Sequence, residues 1–171
     1  LIKLLKSANK NTAKGTVFGY QVLDPERYGV VDFDDKGKVI SIEEKPAKPA
    51  SNFAVTGLYF LDSTATTRVE SITPSSRGEL EITDLLESYL QDDLLDVELM
   101  GRGFSWLDTG TQDSLVEASE FVRTIQKRQG LSIGCPEEIS LSQGWISKEK
   151  LEKNLVNIPE SDYGNYLKSL I

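Results

Sequence analysis

Two nearly continuous apolar runs, Thr16 to Leu23 and Ala54 to Leu61, constrain the fold of this 171-residue chain more than any other feature. Both are rich in β-branched and aromatic residues, so they read as strands. A strand that is apolar along its whole length, without the polar alternation of a half-exposed one, needs cover on both faces. The expectation is a three-layer α/β architecture, in which helices cover a mixed, mostly parallel sheet.

The rest of the chain supplies the other layers. Gly29 to Phe33 and Val39 to Glu43 flank the cluster Asp34-Asp35-Lys36-Gly37, which predicts a hairpin near a sheet edge with Gly37 at positive φ. Lys45 to Asn52 holds two prolines and reads as a loop. Ile82, Leu85, Leu86, Tyr89 and Leu90 fall at i, i+3, i+4, i+7 and i+8, the stripe of an amphipathic helix. A strand follows at Leu94 to Met100, leading through Gly101-Arg102-Gly103 to Phe104-Ser105-Trp106-Leu107. After Asp108 a long helix repeats Leu115, Ala118, Val122 and Ile125 and stops at Gly130. Beyond lie short helices, with Pro136 in a first turn, Ser147 able to cap a second and Asp162 able to cap the last. The division expected is 1–130 and a C-terminal helical region, 131–171. Leu1 to Lys6 has helical spacing with no N-cap before it, and the only Met is Met100, so the chain reads as starting inside a helix.

Composition narrows the chemistry. With no histidine and the single Cys135, imidazole acid/base chemistry, an internal disulfide and Cys/His zinc sites are excluded. A net charge of −8 argues against broad binding to nucleic acid or anionic membranes. No apolar run approaches the roughly 20 residues of a membrane helix, and no signal-peptide pattern opens the chain. A cytoplasmic location is expected.

Four motifs stand in order: Tyr28-Gly29-Val30-Val31, Glu43-Glu44-Lys45-Pro46, Arg77-Gly78-Glu79-Leu80-Glu81-Ile82-Thr83-Asp84, and Trp106-Leu107-Asp108-Thr109-Gly110-Thr111 before the long helix. Together, with Cys135-Pro136-Glu137-Glu138-Ile139 and Gly144-Trp145-Ile146-Ser147 further on, they resemble the glucose-1-phosphate thymidylyltransferase family. No glycine-rich triphosphate loop occurs, so the resemblance is to the later part of that enzyme. It implies a Rossmann-like nucleotidyltransferase fold incomplete on its N-terminal side, and nucleotidyl transfer from dTTP to glucose 1-phosphate, giving dTDP-glucose and pyrophosphate for deoxysugar synthesis of the dTDP-rhamnose kind. Because a phosphate oxygen is already anionic, positioning and charge stabilisation suffice without a general base.

Residue by residue, the resemblance makes Arg77 and Lys45 the catalytic phosphate ligands, and Glu44, Gly29 and the Val55 backbone the glucose contacts. Tyr28 and Trp106 become the pocket wall, and Asp108 a magnesium ligand whose partner carboxylate lies in the absent part. Taken by residue type alone, Asp108 reads as the N-cap of the long helix, Arg77 and Lys45 as solvated cations, Glu44 as an exposed strand end and the aromatics as core. Gly101, Arg102, Gly134, Glu138 and Ile139 match a regulatory nucleotide site, with the Pro136 helix start offering N–H groups; plain packing is the competing reading there. Ser142 stands where many family members have arginine, which puts feedback control in doubt. The family also implies a homotetramer. Two other functions stay open: a non-catalytic sugar-phosphate, nucleotide-sugar or assembly module, and a UDP-glucose-forming relative. The chain alone is expected to be inactive.

Overall fold

Short connections decide how the strands run. The computed structural model describes residues 1–11 and 13–171, in two compact units, Leu1–Trp106 and Leu107–Ile171. In the first unit β1 (Gly15–Gln21), β2 (Gly29–Phe33), β3 (Val39–Glu44), β4 (Phe53–Phe60) and β5 (Leu95–Met100) form one sheet in the order β3-β2-β4-β1-β5. The sheet is mixed, as expected, but not mostly parallel. Only β1 and β5 pair parallel; β1 with β4, β2 with β3 and β2 with β4 are antiparallel. The physical reason lies in the loops. The β2–β3 turn closes tightly, with Gly37 at φ 80° and Asp34 Oδ1 accepting the N–H groups of Lys36 and Lys38, each at 2.9 Å. A turn of that length can only join antiparallel strands. Unbroken apolarity reports cover on both faces and says nothing about strand direction.

That cover is complete for the first five residues of β1 and gives way at Tyr20 and Gln21. It holds for Ala54, Val55 and Thr56 of β4 and then fails at Gly57 and Leu58, where the register with β1 slips. One face is closed by α3 (Ile82–Gln91), which sets Leu85, Leu86 and Tyr89 against Val17, Val31, Val39, Ile42, Val55 and Leu95. Fully burying each such side chain stabilises by about 1.5–3 kcal/mol. A short helix that the sequence pattern did not signal, α2 (Ala65–Val69), braces this layer. Its Arg68 guanidinium lies 4.2 Å over the Tyr89 ring and pairs with Asp92 at 2.7 Å, and the Tyr89 hydroxyl donates to Asp62 at 2.7 Å. The N-terminal helix, α1 (Ile2–Ala8), has no side-chain cap, in keeping with its sequence.

The second unit is helical: α4 (Gln112–Gln129), α5 (Pro136–Ser142), α6 (Lys148–Leu155) and α7 (Asp162–Lys168). Thr111 and Ser114 cap α4 reciprocally, and Gly130 ends it at φ 67°. Ser147 caps α6 as expected, whereas α7 is capped by Ser161 rather than Asp162. Cys135, Leu151 and Leu167 are this unit's buried apolar residues. The division therefore falls ahead of the long helix, where the sequence reading sets it at 130. No residue of α4 is buried, and Gln126 Oε1 accepts the Ile133 N–H at 3.2 Å, tying the end of the helix to the loop before α5. Among the described residues no helix is long and apolar enough to cross a membrane.

Candidate active site

Glu44, the last residue of β3, pairs in register with Gly29, the first of β2. Gly29 has no room for a side chain: a Cβ there would lie 2.9 Å from Thr83 Cγ2 and 3.3 Å from Glu44 Oε2, with Val55 Cβ at 3.9 Å. Thr83, in the first turn of α3, donates its hydroxyl to Glu44 Oε2 at 3.3 Å. The next residue along β3, Lys45, leaves the strand at φ 44°, held by its N–H donating to the Tyr28 carbonyl at 3.0 Å. This turn brings Lys45 Nζ within 3.7 Å of Glu44 Oε1.

Arg77 arrives from the loop before α3. That loop is a small closed turn: Gly78 N–H donates to Ser75 O and Ser75 N–H to Glu79 O, both at 2.8 Å, with Gly78 at φ 78°. Arg77 donates to Glu81 through Nε at 3.2 Å and through Nη2 to both carboxylate oxygens at 2.8 Å, and Ser75 Oγ adds a bond to Glu81 at 2.7 Å. Arg77 Nη2 also lies 3.4 Å from Glu79 and 3.6 Å from Glu44. Two cations thus stand among three carboxylates. The Arg77 guanidinium, with the Ser75 hydroxyl, holds the Glu81 carboxyl below its ordinary acidity range, and Glu81 in turn raises Arg77. Burial, and then the charge of Glu44, push the Tyr59 hydroxyl up.

The structure therefore gathers Gly29, Glu44, Lys45, Val55 and Arg77. The aromatic pair forms a separate feature. Tyr28 packs edge-on against Trp106 at 5.2 Å, and Tyr20 lies 6.0 Å from Trp106 and donates to the Phe104 carbonyl at 3.1 Å. Extended backbone at Tyr28 (φ −128°, ψ 167°) turns its ring away from the side on which a Gly29 side chain would lie. Trp106 is half-buried, and residues 104–109 form no strand, so Asp108 follows an irregular segment rather than a strand end.

Asp108 belongs to the second unit and is not the helix cap. Thr111 Oγ1 accepts the Ser114 N–H at 3.1 Å and Ser114 Oγ accepts the Thr111 N–H at 3.0 Å, which fills that role. Gly110 leaves space beside the carboxylate, since a Cβ there would lie 3.2 Å from Asp108 Oδ2. Among the described residues no three His, Cys, Asp or Glu side chains cluster as a metal cage, around Asp108 or elsewhere.

The five residues matched to a regulatory site divide between the units. Gly101 and Arg102 line a cleft of about 430 Å³ with Tyr20, Leu23, Phe53 and Leu99. Gly134 takes φ 68°, Glu138 Oε2 accepts from Tyr166 at 2.6 Å, and Ile139 is exposed. The first turn of α5 carries Glu137 and Glu138, which oppose an anion at that helix start. Three residues that sequence reasoning gave no role join the first site: Glu81, Ser75 and Thr83. The available signal was the spacing in Arg77-Gly-Glu-Leu-Glu81, a cation and a carboxylate four apart.

A half-buried glycine packed directly against a threonine and a carboxylate, with a lysine and an arginine converging on that carboxylate at the edge of a mixed α/β sheet, suits an anionic ligand with hydroxyl groups. The chain belongs to the nucleotidyl transferase family, whose pattern matches residues 1–125. Within that family it is similar to glucose-1-phosphate thymidylyltransferases. It is 55% identical over 170 residues to that of Xanthomonas campestris pv. campestris (strain B100), covering 99% of this chain and 58% of that protein. With the Neisseria gonorrhoeae enzyme it shares 52% over 167 residues, 98% of this chain and 58% of that one. The chain thus spans less than two thirds of the length of these relatives. A crystal structure of a Bacillus anthracis protein assigned as a glucose-1-phosphate thymidylyltransferase, in complex with sucrose, superposes with a TM-score of 0.63 at 38% identity, over 71% of this chain and 48% of that one. A UDP-glucose pyrophosphorylase complexed with UDP-glucose shares the fold alone, with a TM-score of 0.62 at 23% identity over 72% and 49%.

Proposed function

We propose that the complete protein carrying this chain transfers a thymidylyl group from dTTP to glucose 1-phosphate, and that this chain supplies the sugar-phosphate side. The observation that carries the reading is the meeting of Lys45 and Arg77 around Glu44, beside the side-chain-free backbone of Gly29. A carboxylate suits sugar hydroxyls, and a point charge with a planar donor suits a phosphate. The phosphate oxygen forms a bond to the α-phosphorus of dTTP as the bond from that phosphorus to the β-phosphate oxygen breaks, releasing pyrophosphate. The attacking oxygen carries no proton, so a chain without histidine is adequate. Lys45 and Arg77 would hold the sugar phosphate in line and offset its charge.

Magnesium, when bound, would neutralise charge on the triphosphate. Asp108 would be this chain's ligand to it, together with a second carboxylate that these residues do not supply. The same reading makes the protein a cytoplasmic homo-oligomer that serves deoxysugar synthesis. It assigns Gly101, Arg102, Gly134, Glu138 and Ile139 to a regulatory nucleotide site, against which the acidic first turn of α5 weighs.

Pyrophosphate release by the complete protein is the test, with dTTP or UTP and glucose 1-phosphate. Turnover with dTTP that Glu44→Gln slows through the KM of glucose 1-phosphate is expected. Faster turnover with UTP would favour a UDP-glucose-forming enzyme. Binding of glucose 1-phosphate without turnover of either nucleotide would favour a non-catalytic module. The isolated chain should release no pyrophosphate, since losing one preorganised contact alone costs about 10²- to 10³-fold.

A further inference from the structure

Three carboxylates approach Arg77, and they do so unequally. Glu79 lies at 3.4 Å and is 66% exposed, and Glu44 lies at 3.6 Å; each meets Nη2 at a single, long contact. Glu81 alone takes Nε and Nη2 together, at 2.8–3.2 Å, and its side chain is only 9% exposed. Ser75 Oγ adds a further bond to its Oε1 at 2.7 Å. All of these contacts run through Nε and Nη2, and only Glu81 takes the two together; among the described residues none bonds to Nη1. The pair is not needed to shape the loop, which is already closed by the backbone bonds joining Ser75, Gly78 and Glu79.

We infer that Glu81 is a positioning residue: it fixes the Arg77 guanidinium by one edge so that Nη1 is presented to the phosphate of the substrate. This rests on the reading of Arg77 as a phosphate ligand given above. It makes a prediction that simple electrostatics reverses. A carboxylate behind Arg77 weakens its attraction for an anion, so if charge alone mattered, neutralising Glu81 would tighten binding of glucose 1-phosphate. If orientation matters more, the same change releases a long, flexible side chain and weakens it, and misplacement by about 1 Å can cost up to about 10²-fold.

The experiment compares Glu81→Gln, Glu81→Asp and Arg77→Lys in the complete protein. It measures kcat and the KM of each substrate, and thermal unfolding alongside. Both Glu81 variants should lose about tenfold or more in kcat/KM for glucose 1-phosphate while the KM of dTTP stays within twofold. Arg77→Lys should lose at least as much, and adding Glu81→Gln to it should cost little more, because the group being positioned is gone. A lowered or unchanged KM for glucose 1-phosphate in Glu81→Gln, with Arg77→Lys impaired, would overturn the inference and leave Arg77 as a phosphate ligand. Normal kinetics in Arg77→Lys would instead remove Arg77 from the site, and the role of Glu81 with it. Should Glu81→Gln not fold, Glu81→Asp keeps the charge, withdraws the carboxylate by one methylene and carries the same expectation.

Discussion

Gly29→Ala is the sharpest test of how the site is packed. The new methyl would stand 2.9 Å from Thr83 Cγ2, closer than carbon atoms approach, and 3.3 Å from Glu44 Oε2. Thr83 is itself buried under the start of α3 and cannot swing into solvent. Relief must come from a shift of β2, α3 or the Glu44 side chain, and overpacking of this kind costs about 1–3 kcal/mol. For a chain of this size that is a melting temperature lower by roughly 2–10 °C. The companion change is Thr83→Ser, which removes Cγ2 and keeps the hydroxyl that donates to Glu44. Alone it forfeits one buried methyl, about 1 kcal/mol. Combined, the two should interact: Thr83→Ser restores stability in the Gly29→Ala background by about 1 kcal/mol or more instead of removing it. The KM for glucose 1-phosphate, raised in the single alanine variant because Glu44 is displaced, should fall again in the pair. Thermal or urea unfolding of the four proteins in the double-mutant cycle decides the matter. Strict additivity would show that the Cβ–Cγ2 contact is not what excludes a side chain at position 29.

Asp108→Asn should abolish most turnover of the complete protein, whereas Thr111→Ala should cost about 1 kcal/mol of stability and spare turnover; near-normal turnover in Asp108→Asn would remove Asp108 from the site. Because Arg77 and Ser75 depress the Glu81 pKa below its ordinary value of 4.5, its contribution to stability is fully present above that value and is lost as pH falls through the lower folded value. Urea midpoints measured from pH 6 down to 2.5 should therefore show an acid loss that Glu81→Gln flattens, and superimposable profiles would refute it. Leu115 and Val116 on α4 are more than half exposed, and β5 is an edge strand, so the chain should self-associate at micromolar concentration in light scattering; a monodisperse monomer would count against that.

Sequence and structure agree on most local signals, the caps of α4 and α7 excepted, which fall to Thr111 and Ser161 instead of Asp108 and Asp162. Five strands, the Gly37 turn, the α3 stripe, the Gly130 stop and the Ser147 cap all follow from residue type within a few positions. Direction and cover do not. Val17 and Val55 read the same whether their strands run parallel or antiparallel, and the exposed half of β4 looks like the buried half until the register slip opposite Val17 and Gly19 is seen. The α2 helix escaped because its five residues span too little for periodicity. In the site, Gly29, Glu44, Lys45 and Arg77 were legible through motif order. Glu81 and Thr83 were not, because their part depends on a fold-level approach: Thr83 reaches Glu44 across 39 positions of sequence.

The crowding of Lys45 and Arg77 by Glu44, Glu79 and Glu81 bears on which anions the site would admit. A cation that already has a carboxylate partner offers an incoming ion only the difference between two pairings. Free inorganic phosphate, abundant wherever nucleotides are turned over, would gain little by that exchange. A sugar phosphate brings hydroxyl donors that satisfy Glu44 once it lets go of the cations, so the sugar makes the exchange favourable for the phosphate. On the function proposed above, such a pocket would select by substitution rather than attraction.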